Sequence, residues 1–187
     1  MSGNFLPLHL KSFLYSPAGY SYLSIPFIKF FDLSTFSVRF ASALFGSLTI
    51  IVTYFLVIEL FRKWASHLAL LASFLLAISP WHINLSRTAT ENVIVVFFIT
   101  LGTLLYLLWF RMAKWYLLIA AFLLFGVTLF LYQAPRAFLP LFIPLLIFIF
   151  SGTKINKKGV VSAILLFIVA ILIPLLIILS SKELSLR

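Results

Sequence analysis

The chain predicts an all-α fold: a polytopic membrane bundle of about six transmembrane helices, preceded by a helical segment on the membrane surface. Three observations carry that prediction. Of 187 residues, 64% are hydrophobic and 10% charged, so the apolar area exceeds any interior that a chain of this length builds in water. The apolar residues fall into blocks long enough to cross a bilayer, separated by short basic or polar connections. The 4 Trp and 7 Tyr mostly sit near the ends of those blocks, where aromatic side chains anchor a span at the interface.

Residues 1–38 form the least regular part and are expected to lie along the extracytoplasmic face of the membrane. Pro7, Pro17, Gly19 and Pro26 interrupt the stretch up to Phe31, and Lys11 and Lys29 sit in otherwise apolar, aromatic sequence. The opening lacks a charged n-region, a long apolar core and a small-residue cleavage site, so it is a poor secretory signal. Asp32, the only acid before Glu59, reads as a turn residue.

Residues 39–187 form the bundle. The first span, over about 40–61, holds FASALFGSLTIIVTYFLVIEL, about 32 Å as a helix. Within it Ala41, Ala43, Gly46 and Ser47 offer a small-residue packing face. A second span over 64–79 stops at Pro80, and a polar loop follows. The third runs over 91–110 and closes at Arg111 and Lys114; the fourth covers 115–132. A second polar connection, YQAPR, precedes a fifth span over 137–151, expected to kink at Pro140 and Pro144. The sixth, 160–180, contains Pro174.

Alternate connections differ in charge. One set holds Arg62, Lys63, Arg111, Lys114, Lys154, Lys157 and Lys158, and the other only Arg87 and Arg136. Positive residues stay inside, so loops 62–67, 111–114 and 152–159 are expected in the cytoplasm, and 80–90 and 133–136 outside. The net charge of +10 then reads as span orientation and contact with anionic lipid, not as a nucleic-acid surface. With no cysteine, disulfides and thiolate metal sites are excluded. No Gly-rich phosphate loop, nucleophile elbow or zinc motif occurs, and no cofactor is identified.

Polar chemistry concentrates in Ser79–Glu91, SPWHINLSRTATE, and in YQAPR. Guanidinium groups at the lipid boundary grip phosphate through paired hydrogen bonds, which makes Arg87 and Arg136 candidate phosphate contacts. Snorkelling at helix ends without a ligand is the competing reading. Glu91 reads as a catalytic or orienting carboxylate, as the far member of a Thr88–Glu91 capping box, or as an ion-pair partner of Arg87 at i, i+4. His82 and Gln133 are neighbours of the same site; His82 beside Trp81 also suits a plain interfacial role, with no second ligand at metal spacing.

The run from Ser16 through SPAGYSYLSIPFIKFFDLSTFSVRF, then SPWHINLSRTATENV, then YQAPRAFLPL, resembles the membrane module of the glycosyltransferase family 39 group. That group includes protein O-mannosyltransferases, the aminoarabinose transferase of lipid A and bacterial glycosyltransferases of the RgtA/B/C/D-like class. The likeness covers roughly Tyr15 to Leu145 and rests on the order and spacing of motifs that are each weak alone. It implies a GT-C fold and an inverting transfer of a sugar from a polyprenyl-phosphate carrier to an acceptor outside the cell membrane. A glycan, lipid or protein acceptor is equally compatible. By resemblance, Arg39 matches the arginine that opens the next span, Arg87 and Glu91 the SR-x-x-x-E pattern, and Arg136 the later outward arginine. Tyr20, with Pro17, Ala18 and Gly19, lies in the stretch matching the segment that follows the family's first outer loop.

In the family a carboxylate of that outer loop acts as base or as partner of a divalent metal, and residues 1–16 supply no carboxylate. The chain is therefore expected to be part of a longer enzyme. A scaffold or flippase-type component is the alternative of a different class. It predicts charged groups lining a path between spans, which these span interiors do not offer.

Overall fold

The structure, a computed structural model, describes residues 9–10, 16–17, 19–62, 65–151 and 157–180. Expectations resting on Lys11, Lys63, Trp64 and Lys154 lie outside the described residues. Two residues each of β1 (His9–Leu10) and β2 (Ser16–Pro17) pair antiparallel; the other elements among the described residues are helices. The helices are α1 Gly19–Phe31, α2 Thr35–Phe61, α3 Ala65–Ile78, α4 Pro80–Arg87, α5 Glu91–Met112, α6 Trp115–Leu131 and α7 Ala134–Ser151. A last rod joins α8 (Lys157–Phe167) to α9 (Ile173–Ser180) through a π-helical stretch, Ile168–Leu172.

This is the membrane helix bundle expected. Thr35–Phe61, Glu91–Met112 and Gly159–Ile178 are long and apolar enough to span, and α3 with α4 makes a fourth only as a pair bent by 58°. The shorter α6 and α7 are also predominantly apolar.

Local chemistry sets the ends. Ser34 and Ser37 close a reciprocal capping box, each backbone N–H donating to the other's Oγ at 3.1 Å, so α2 starts at Thr35 rather than near residue 40. Asp32 occupies the turn with φ 58°, a left-handed conformation that Asp tolerates, and its carbonyl accepts from Ser37 Oγ at 2.7 Å. Pro174 has no N–H to give Ala170, and the π stretch sits immediately before it. That Ala170 carbonyl lies 3.0 Å from where a Cβ on Gly126 would stand, so a glycine in α6 lets the rod approach closely.

Two connections are corrected. The polar stretch after Ser79 is not a loop: Pro80 takes the first helical position, where its missing N–H costs nothing, and α4 runs to Arg87. In YQAPR only Tyr132 and Gln133 lie outside helix; Ala134, Pro135 and Arg136 form the first turn of α7. The packing face on α2 is also shifted: Ala41, Ser42, Gly46 and Thr49 are buried, whereas Ala43 and Ser47 are exposed.

The core has two ends. Tyr106, Trp109, Leu118, Phe122, Phe125, Leu139 and Ile143 fill the seam of α5, α6 and α7, with the last rod against it. Tyr20, Ala41, Ile94, Val95 and Leu131 form a second cluster that unites α1, the first turns of α2 and α5, and the last turn of α6. α2 and α5 therefore run parallel, and the ends that carry Arg39, Arg87, Glu91 and Arg136 belong to one end of the bundle.

Candidate functional site

At that end, one hydroxyl ties three elements together. Ser42 Oγ lies 3.1 Å from both Tyr20 Oη and the Thr90 carbonyl, and the Thr90 N–H donates back to it at 3.3 Å. Tyr20 Oη in turn donates to the Val38 carbonyl at 2.6 Å. A small polar side chain buried on α2 thus fixes α1 on one side and the start of α5 on the other. Ser42 was not singled out from the sequence; its partners lie 22 and 48 residues away, and no local pattern signals such a contact.

Beside this knot is an open cleft of about 560 Å³, lined by Leu33, Ser34, Thr35, Val38, Arg39 and Ala89. Its walls are the α1–α2 turn and the α4–α5 connection. Arg39 is exposed one turn before Ser42 and forms part of the wall. Arg87 is exposed at the end of α4, two residues before Ala89. The N-terminus of α2 opens onto the same cleft, so backbone dipole and guanidinium favour an anion there.

Glu91 is half-buried at the first position of α5. Thr90, not Thr88, takes the N-cap, and neither makes the side-chain bond that a box requires; Thr88 Oγ1 bonds back to Asn84 and Leu85 carbonyls instead. The expected Thr88–Glu91 box is therefore corrected, and Ser42 supplies the bond to the Thr90 N–H from outside the helix. Among the described residues Glu91 makes no ion pair with Arg87: the helix breaks between them, so the i, i+4 geometry is lost.

His82 faces inward. It is 9% exposed, and its Nε2 lies 3.1 Å from the Gly46 carbonyl, so that nitrogen carries the proton and donates. Ser86, one turn on, fills the space beside Gly46, where a Cβ would stand 2.2 Å from Ser86 Oγ. Arg136 is half-buried and its Nε donates at 3.1 Å to the Leu129 carbonyl, one of those left open where α6 ends. Gln133 is half-buried in the adjoining turn.

The structure thus brings Arg39 and the Arg87 connection to one cleft. It stations Arg136 and Gln133 at the same end through α6, and turns Tyr20 and His82 into the seams that hold the cleft's walls. Among the described residues no three His, Cys, Asp or Glu side chains gather where they could hold a metal ion.

Comparison with known proteins follows the same segments. The family model described as dolichyl-phosphate-mannose-protein mannosyltransferase matches residues 16–178. The "Putative mannosyltransferase YkcB" of Bacillus subtilis (strain 168) is 31% identical over 134 residues, which is 72% of this chain and 18% of that relative. The chain thus spans about a fifth of the length of the curated relative it matches. No solved structure matches it.

Proposed function

Because the chain belongs to the dolichyl-phosphate-mannose-protein mannosyltransferase family, a family of GT-C glycosyltransferases, we propose that it is a membrane module of an enzyme that takes a sugar from a polyprenyl-phosphate carrier. The acceptor is glycan, lipid or protein outside the plasma membrane. The observation that carries this reading is the cleft at the paired turns, with Arg39 in its wall and Arg87 beside it.

In such a transfer the acceptor hydroxyl attacks the anomeric carbon, the bond from that carbon to the phosphate oxygen breaks, and a base takes the acceptor's proton. This module contributes the leaving-group half. Arg39 and Arg87 would meet the phosphate oxygens as charge develops on them, with the α2 N-terminus adding its positive end. Arg136 adds positive potential at the same end while it caps α6. Glu91, four residues from Arg87 and making no ion pair with it, would orient the sugar or hold a proton. A span end at the headgroup boundary is where a lipid-borne phosphate presents itself, which supports a carrier lipid over a soluble nucleotide sugar.

The test is binding of a polyprenyl-phosphate lipid to the full chain in nanodiscs. Arg39→Gln and Arg87→Gln are each expected to weaken it about tenfold, the effect of losing one charge-assisted contact. Both side chains are exposed and, among the described residues, make no hydrogen bond or ion pair, so helicity should hold. Affinity equal to wild type in both variants would end the assignment.

A further inference from the structure

The opposite end of the bundle holds a second cation arrangement that the transfer reading does not use. Glu59, in the last turn of α2, has a side chain only 7% exposed, and each of its oxygens meets a different guanidinium. Arg62 Nη2 lies 3.2 Å from Oε1, and Arg111 Nη1 lies 3.0 Å from Oε2. One negative charge therefore fixes two positive ones side by side. The arginine side chains remain 63% and 45% exposed, so most of each guanidinium's donors face outward.

Glu59 carries one negative charge and can neutralise one guanidinium, not two. Here the second is left without a countercharge, and Lys114 adds another cation on the adjoining turn. The surroundings suit the polar boundary of a bilayer: Trp115 and Tyr116 are exposed at the start of α6, and Lys114 Nζ stands 5.9 Å from the Tyr116 ring centre. An anion that completes the alternation of charge in front of the arginines is therefore membrane-borne. We propose that Arg62 and Arg111, held from behind by Glu59, form a binding site for the phosphodiester headgroup of an anionic phospholipid in the leaflet at this end. Two planar forks aimed by one carboxylate match the paired oxygens of a phosphodiester.

The test uses the full chain in nanodiscs of phosphatidylcholine containing a minor fraction of phosphatidylglycerol, with retained lipid counted by native mass spectrometry. Wild type is expected to retain phosphatidylglycerol preferentially, and Arg62→Gln/Arg111→Gln to lower that preference about tenfold, the scale of a lost bidentate contact. Arg62→Lys/Arg111→Lys keeps both charges and the Glu59 partner but not the forks, and is expected to lower it severalfold. That variant carries the test should the glutamine pair fail to fold. Glu59→Gln separates a built site from plain charge attraction: it adds a net positive charge while releasing the arginines. A built site predicts weaker retention, and general attraction predicts stronger. Stronger retention in Glu59→Gln, or an unchanged preference in either double variant, overturns the proposal.

Discussion

Tyr106 carries a hydroxyl into an apolar seam. The side chain is 1% exposed, packed on Trp109 and Phe150, and its Oη has no hydrogen-bond partner among the described residues. The ring contributes the packing and the hydroxyl only a desolvation cost, so Tyr106→Phe is expected to stabilise the protein by roughly 1 kcal/mol. Thermal unfolding in detergent checks this; a lower melting temperature would reveal a donor or water at Oη. Gly46 shows the reverse case. A methyl group there meets Ser86 Oγ and Cβ, both in the α2–α4 seam, so Gly46→Ala should cost about 1–3 kcal/mol as overpacking. Adding Ser86→Gly vacates that space, and recovery of most of the loss in the double variant is the expected outcome. At this scale little was legible. Glycine and small residues on α2 were readable as a packing face, but which of them face a neighbour depended on where α4 lies, and Ser42 and Glu59 act through partners far along the chain.

At the level of elements, hydropathy located each span because crossing a bilayer selects composition directly, whereas the ends are decided by single hydrogen bonds. α2 begins early since Ser37 stands in for the usual Glu or Gln at the third position of a capping box, a substitution that a pattern search passes over. α4 escaped reading for another reason. Its buried side chain is His82, with Leu85 and Ser86 half-buried beside it, so it lacks the apolar period that marks an amphipathic helix, and polarity alone suggested a loop. The His82 bond to Gly46 is then a main link between α4 and the span it rests on. His82→Ala is expected to loosen α4 alone: amide exchange over Ile83–Arg87 should quicken severalfold, while α2 and α5 keep their protection. Uniform loss of protection across all three helices would show that α4 is an integral part of the bundle's cooperative unit and not a separately docked one.

Across the whole molecule, the ion pair of Glu59 with Arg111 and the knot of Ser42 with Thr90 pin α2 and α5 at both ends, and the turns after α4 and α6 share the end that carries the cleft. The sequence groups those connections because basic residues alternate with polar ones from one turn to the next. The distribution of positive residues argues that the end with Arg62 and Arg111 meets the cytoplasm. The absence of cysteine makes the test direct. Thr88→Cys in the α4–α5 connection and Lys114→Cys before α6 both replace exposed side chains, so neither should disturb packing. In right-side-out cells, a thiol reagent that cannot cross the membrane is expected to label the cysteine at position 88 and spare that at 114 until the membrane is permeabilised. The cleft would then open outward, where a flipped carrier lipid presents its sugar. Labelling of position 114 alone in intact cells would turn the cleft to the cytoplasm and remove the proposed extracytoplasmic acceptor with it. Labelling of both would contradict the shared axis of α2 and α5 on which the placement of the arginines rests.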